Sequence, residues 1–111
     1  MLVTREFVMT ANFDKNWKNL DFGDDDLREL QNILLESPHA GDVIPGVSGA
    51  RKVRVAANEH GKRGGARVIY VDVVSAERIY LLTAYPKNVK INLSEDEKKA
   101  LTRLIRLLKT E

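Results

Sequence analysis

The 111-residue sequence has no cysteine, only two histidines, and no apolar run close to the ~20 residues that a membrane-spanning helix needs. Without cysteine the chain cannot form disulfides, thiolate zinc sites or a cysteine nucleophile, which fits a reducing cytoplasm. The histidines, His39 and His60, are isolated in predicted turns and lack partners for a metal site. No HExxH, Walker or GxSxG motif is present. We therefore expect no metal and no cofactor, and an enzyme of this sequence would work with lysine, arginine, tyrosine or histidine.

The charges are unevenly distributed along the chain. Apolar residues make up 43% of the sequence and charged residues 31%, as in soluble globular proteins, and the length predicts one domain over residues 1–111. The start of the chain lacks the apolar core of a signal peptide. Residues 14–36 hold seven acids and three bases, whereas residues 51–67 hold six bases and one acid. The basic centre favours a cationic face for a polyanion, although the two signs could also intersperse on the folded surface.

Periodicity and capping signals predict seven elements in the order β-α-α-β-β-β-α, which is an α+β fold. Strands are expected over 2–9, 51–57, 66–74 and 78–85, and helices over 12–20, from 24 to a stop at Pro38, and from 95 onward. Three acids at 24–26 suit the positive end of the second helix, and Ser94 with Glu97 forms a capping box for the third. Short turns make the last three strands an antiparallel meander. We expect the helices to cover one face of a small antiparallel sheet and to leave the other face partly open.

A cluster of cations is predicted at one edge of this sheet. In a meander, the turn before one strand lies beside the far end of the next strand. Residues near the start of strand 66–74 and the end of strand 78–85 should therefore converge, and these are Lys62, Arg63, Arg67, Tyr85, Lys87 and Asn88. The neighbouring strand adds Lys52 and Arg54 on its solvent face, and Lys90 follows. Cations beside an aromatic ring and an amide suit phosphate contacts and base stacking, the alternative being scattered, solvated cations.

Three ordered segments, GKRGGARVIY, IYLLTAYPKN and NLSEDEKKALTRLI, resemble the RelE superfamily of bacterial toxins. The upstream segment GDVIPGVSGARKVRVA is most similar to the HigB-type branch, and the resemblance extends over about residues 5–108. It implies a small, twisted antiparallel sheet with two N-terminal helices and one C-terminal helix. It also implies the toxin of a type II toxin–antitoxin pair that cleaves mRNA on translating ribosomes in the cytoplasm. The implied partners are the ribosome, mRNA and a helix-turn-helix antitoxin encoded adjacently, with operator DNA reached only through the antitoxin and no membrane partner.

The resemblance also implies roles for single residues. Metal-free cleavage uses the 2′-OH of the RNA as nucleophile, so the protein must move protons and stabilise charge on phosphorus. The catalytic residues would be Arg67 on the phosphate, Lys87 as acid or base if the surrounding cations favour its neutral form, and Tyr85 as a stacking or orienting group. The RNA- and ribosome-binding residues would be Lys52, Arg54, Lys62, Arg63, Asn88 and Lys90. The chain departs from relatives at Val71, where a second tyrosine is frequent, and at Val89, where an acid is frequent, which puts efficient cleavage in doubt.

Two other functions fit the same scaffold. One is a non-enzymatic inhibitor of DNA gyrase, as in the related ParE-type toxins, although such an inhibitor does not require cations at the strand ends. The other is a degenerate RNA- or ribosome-binding protein without toxicity, for which RNA binding would persist and depend steeply on salt.

Overall fold

A computed structural model of the chain describes residues 4–56, 65–88 and 93–110. Its elements are β1 (Glu6–Met9), α1 (Ala11–Asn19), α2 (Asp24–Glu36), β2 (Asp42–Val43), β3 (Arg51–Val55), β4 (Ala66–Val73), a 3₁₀ turn (Val74–Ala76), β5 (Arg78–Pro86) and α3 (Glu95–Lys109). The α+β class and the order of the predicted elements are confirmed. Within the predicted loop 39–50, the two residues of β2 form an additional short strand.

The five strands form one mixed sheet in the order β1-β5-β4-β3-β2. The antiparallel meander of β3, β4 and β5 is confirmed. The expectation of a wholly antiparallel sheet was wrong, because β1 runs parallel to β5, with Phe7 opposite Ile79 and Val8 opposite Tyr80. The two N-terminal helices follow β1 and lead the chain to β2 at the opposite edge. Alternation within a strand identifies the strand but carries no information on the direction of its neighbour.

Helices lie on both faces of the sheet, which corrects the expectation that they cover one. On the first face, α1 and α2 bury Phe13, Trp17, Leu30 and Leu34 against strand residues that include Val53, Val68, Tyr70 and Leu81. On the second face, α3 and the segment before β3 bury Ile105, Ile44 and Val47 against Ile69, Val71, Val73 and Leu82. The run ARVIYVDV of β4 is apolar on both faces, as expected of a strand that is covered on both sides.

The capping signals are confirmed. Ser94 caps α3, where its hydroxyl accepts from the backbone N–H of Glu97 at 3.1 Å and the Glu97 carboxylate accepts from the Ser94 N–H at 2.9 Å. The three acids occupy the first turn of α2 behind an N-cap glycine, Gly23, whose N–H donates to the buried Asp26 carboxylate at 2.8 Å. Along α3, Ile105 is fully buried, whereas Leu104 is 37% exposed.

The buried Tyr70 hydroxyl anchors the segment that follows α2. It lies 3.0 Å from the carbonyl oxygen of Pro38 and 2.6 Å from that of Ala40, and can donate to either. Burial raises the pKa of this phenol to about 12.

We expect Tyr70→Phe to lower the free energy of unfolding by about 1–3 kcal/mol, because the part-buried carbonyls of Pro38 and Ala40 lose the one hydroxyl that can donate to either of them. Since the folded pKa lies above the unfolded value of about 10, the contribution of Tyr70 is complete below pH 10 and disappears as the pH rises through about 12. Urea denaturation of both proteins at neutral pH measures the loss, and ultraviolet titration should show one late-ionising tyrosine that the variant lacks. Titration of all three tyrosines together near pH 10 would contradict this account.

Candidate functional site

The described members of the predicted cluster lie around the first residues of β4. Arg67 is directly opposite Arg54 on β3 and directly opposite Tyr85 on β5. The predicted neighbourhood of the start of β4 and the end of β5 is thus confirmed by the strand register. Like charges opposite one another on adjacent strands destabilise a sheet. We call the described residues at this edge the Arg67 rim, and they are Arg54, Gly65, Arg67, Tyr85, Lys87 and Asn88.

The guanidinium group of Arg67 has unused hydrogen-bonding capacity. Its Nε is buried and has no hydrogen-bond partner within residues 4–56, 65–88 and 93–110. Leaving a buried donor unpaired costs about 1–3 kcal/mol, so such groups call for an explanation. The guanidinium fork presents Nε–H and a terminal N–H in the geometry that suits two oxygens of a phosphate or carboxylate. The guanidinium can therefore bind an oxyanion once the groups that cover Nε move aside to admit it.

Backbone contacts hold the two sides of the rim together. The Lys87 N–H donates to the Gly65 carbonyl at 3.2 Å, which places Lys87 beside the residue that leads into β4. A Cβ atom on Gly65 would collide with the carbonyl oxygen of Val55, so this position requires glycine for the close approach of two backbones. Lys87 is half-buried and Asn88 is exposed.

The remaining predicted binding residues are distributed as follows. Lys52 and Arg54 alternate with the buried Val53 and Val55 of β3, and Arg54 is exposed. Lys52 is half-buried opposite Ile69, two residues further along the strand from the rim. The predicted residues Lys62, Arg63 and Lys90 lie outside the described residues, as do His60 and Val89.

A register shift between β4 and β5 places the Tyr85 side chain on the same face of the sheet as Arg67. Ile69 pairs with Thr83 and Tyr70 pairs with Leu81, so Leu82 has no opposing residue on β4. Up to Leu82, the residues that pack toward α3 are even-numbered, but after the shift Tyr85 packs on this face and Ala84 on the other. An extra residue in one strand inverts the facing of every later side chain. The sequence interpretation placed Tyr85 by strand end alone and missed the shift, although the polar Thr83 interrupts the apolar run of β5.

Side chains from α1 hold the shifted residue. The Thr83 hydroxyl donates to Asn12 Oδ1 at 2.9 Å and accepts from Asn16 Nδ2 at 3.0 Å. Asn16 Nδ2 also lies 2.7 Å from Asn12 Oδ1, which closes a triangle. The triangle ties the first helix to the strand two residues before Tyr85.

We expect Thr83→Val to loosen this part of β5 without unfolding the protein. Valine keeps the shape of threonine but removes both hydrogen bonds, a loss of about 1 kcal/mol. The amide hydrogens of Ala84 and Tyr85 should exchange about fivefold faster, as measured by native-state hydrogen exchange. Thr83→Ser retains the hydroxyl and should exchange like the parent protein. Equal exchange in all three proteins would show that the triangle does not hold the strand.

Val71 and Asp72 have structural roles away from the rim. Val71, where relatives often have a second tyrosine, is 1% exposed in the core beneath α3. Asp72 pairs with Arg5, with Nε and Oδ1 only 2.6 Å apart. Among the described residues, no cluster of histidine, aspartate and glutamate could hold a metal ion, and none of their helices has the length and apolarity to cross a membrane.

Comparison with known proteins identifies the family and supports the fold. The family model of the RelE toxin of the RelE/RelB toxin–antitoxin system matches residues 5–110. A double arginine-to-alanine variant of the E. coli toxin RelE in the free state superposes with a TM-score of 0.58 at 13% identity, with 93% of this chain and 98% of that chain covered. The isolated E. coli RelE toxin gives a TM-score of 0.50 at 18% identity, with coverages of 90% and 98%.

The match over nearly the whole chain shows that this protein belongs to the RelE toxin family. It is thus the toxin component of a toxin–antitoxin pair, and a cognate antitoxin is implied. The structural likeness, at such low identity, supports the fold alone.

Proposed function

We propose that this protein is a ribosome-dependent mRNA endonuclease that inhibits translation, with the Arg67 rim as its active site. The observation that carries the proposal is the buried, unpartnered Nε of Arg67, held opposite Arg54 and Tyr85 at the sheet edge. A donor kept without a partner among the described residues is preorganised for an oxyanion that arrives from outside.

The proposed reaction cleaves a phosphodiester without a metal. The 2′-oxygen attacks the adjacent phosphorus, its proton leaves, and the bond from phosphorus to the 5′-oxygen of the next nucleotide breaks as that oxygen takes up a proton. The products are a 2′,3′-cyclic phosphate and a 5′-OH. Arg67 stabilises the negative charge that grows on the non-bridging oxygens, and its fork can hold two of them.

The other rim residues have proposed roles that follow from their positions. The backbone of Lys87 is held beside Gly65, near the start of the strand that carries Arg67, and Lys87 is the proposed acid or base. Tyr85 is half-buried on the face of Arg67 and can stack on a base or orient the sugar. Asn88 and Arg54 are exposed and would bind the RNA backbone. Lys52, Lys62, Arg63 and Lys90 are proposed to extend this contact.

The partners and the setting belong to the same proposal. A toxin that blocks translation must be restrained by its antitoxin, which we propose to be a helix-turn-helix protein encoded adjacently, as in the HigB-type branch. Operator DNA would then be contacted only through the antitoxin. The ribosome and mRNA are the proposed targets, and the cytoplasm is the proposed location.

Two assays on cells that produce the protein test the proposed target. We expect amino-acid incorporation to stop within minutes of induction, while plasmid supercoiling remains unchanged. Co-expression of the adjacent reading frame should restore growth. Relaxed plasmid with continuing amino-acid incorporation would instead indicate a gyrase inhibitor, and undisturbed growth would indicate a binding protein without toxicity.

A further inference from the structure

A second cationic surface lies on the outer side of α3. A groove of about 850 Å³ runs between this helix and the Pro45–Gly46 backbone, and Thr102 Oγ1 bridges it by donating to the Gly46 carbonyl at 3.3 Å. The charged residues that line this α3 groove are Glu95, Lys98, Lys99, Arg103 and Arg106. Four cations thus share the groove with one acid.

Most of this positive charge is not compensated within the described part of the protein. Glu95 contacts only Lys98, at 3.9 Å, and its side chain is 83% exposed. Lys99, Arg103 and Arg106 are exposed and form no hydrogen bond or ion pair with any described residue. Lys99 and Arg103 are four residues apart and Arg103 and Arg106 are three apart, so the side chains of each pair repel one another. The helix thus concentrates positive charge along one stripe of its surface.

We propose that the α3 groove binds the phosphodiester backbone of a structured RNA, as a second site apart from the Arg67 rim. The stripe from Lys99 to Arg106 rises about 10 Å along the helix, comparable to about three nucleotides at 3.4 Å each. Two of the three unpaired cations are arginines, whose forks suit phosphate oxygens. The one large apolar residue in the lining is Leu107. A protein-docking groove would be expected to offer more apolar anchors.

The position of the groove gives this site a distinct task. α3 packs its inner side, through Ile105, on the sheet face that carries Ile69 and Val71, so the stripe points away from the sheet. The rim can then hold a single-stranded substrate while the groove holds a neighbouring RNA helix. Two linked sites on one assembly raise the affinity well beyond that of either site. This task rests on the proposed function, in which the substrate is cut only on the ribosome.

Matched charge variants test the groove without relying on cleavage. The full chain carrying Arg67→Ala serves as parent, and the probe is a blunt-ended RNA duplex whose affinity is measured over a range of salt concentrations. The test variant adds Lys99→Gln, Arg103→Gln and Arg106→Gln. The control adds Lys15→Gln, Lys18→Gln and Arg28→Gln, which remove the same charge from exposed positions of α1 and α2 on the other face of the sheet. Neither variant removes a buried side chain.

We expect the test variant to bind the duplex at least about tenfold more weakly than the parent near physiological salt. Its slope of log affinity against log salt should fall by about 2 to 3 in magnitude, as the loss of three phosphate contacts predicts. The control should change the slope by less than one. Equal effects of both variants, or no duplex binding by the parent, would overturn the proposal. Loss of affinity for poly-glutamate with duplex binding retained would overturn it in favour of an acidic protein segment. Since cleavage is not measured, failure of the groove is distinguishable from failure of the proposed activity.

Discussion

Replacing Arg67 with alanine is expected to lower ribosome-dependent mRNA cleavage by about 10²- to 10³-fold, the usual cost of removing one preorganised donor from an oxyanion site. The fold should survive, because the substitution also removes the like charge opposite Arg54 and an unsatisfied buried donor. We expect the free energy of unfolding to stay within about 1 kcal/mol of the parent value. Single-turnover cleavage on mRNA-loaded ribosomes measures the first effect and urea denaturation the second.

Arg28→Ala is the matched control for this experiment. Arg28 lies on α2 with 71% of its side chain exposed, and its contact with Asp25 is 3.5 Å long. The control removes one arginine, and so one positive charge, from α2, which packs on the opposite face of the sheet. We expect cleavage to be unchanged. If both variants cleave equally well, Arg67 is not the residue that stabilises the phosphate.

The largest expected effect on stability comes from Asp72→Ala. Arg5 reaches over β5 to the Asp72 carboxylate on β4, with Nε to Oδ1 at 2.6 Å and Nη2 to Oδ2 at 3.1 Å. The side chains are only 12% and 7% exposed, and the hydrogen bond from Asp72 raises the pKa of Arg5 above its usual range. Removing one member of a buried ion pair leaves an uncompensated charge, which costs about 3–5 kcal/mol. Urea denaturation should show a loss of this size.

Two further variants test whether the loss of stability depends on the burial of the ion pair. Glu6→Ala breaks the pair between Glu6 and Arg78, whose side chains are 67% and 40% exposed, and we expect a much smaller loss than for Asp72→Ala because water screens the pair. The double variant Arg5→Met/Asp72→Leu leaves no charge buried and should recover most of the stability that Asp72→Ala loses. A loss for Asp72→Ala no larger than that for Glu6→Ala would mean that the pair is solvated in solution.

Local signals in the sequence predicted most of the elements because their causes are local. Ser94 and Glu97 cap α3 through contacts three residues apart, and the alternation of Val53 and Val55 follows from strand geometry. The meander was also predictable, since its short turns leave little choice of partner. The direction of β1 and the second layer of helix were not, because both depend on contacts between distant parts of the chain. The apolar run of β4 on both faces was the one available sign of the second layer.

The location of the site could be predicted from the sequence more fully than the contacts that shape it. The convergence of Arg67, Tyr85 and Lys87 follows from the topology of a meander and was found from the sequence. The register shift at Leu82, which turns Tyr85 to the face of Arg67, depends on pairing between β4 and β5 and on the contacts of Thr83 with α1. The α3 groove was missed for a different reason. No sequence motif marks its cations, and only the packed structure sets them against the Pro45–Gly46 backbone.

The fold separates stability from the proposed chemistry. The stabilising contacts lie in parts of the sheet other than the rim. They are the apolar layers on both faces and the buried pair of Arg5 with Asp72. The rim itself carries the destabilising features, which are opposed arginines and an unpaired buried donor. Concentrating unfavourable charge in one place is tolerated where the surrounding structure provides the stability, and it leaves the rim ready for a polyanion.

The most direct test of the central proposal is a cleavage assay with purified wild-type protein and one defined mRNA, in which ribosomes are either present or omitted. The account predicts new 3′ ends that carry a 2′,3′-cyclic phosphate, produced only when ribosomes occupy the mRNA. Intact mRNA in the presence of programmed ribosomes and active protein would contradict it.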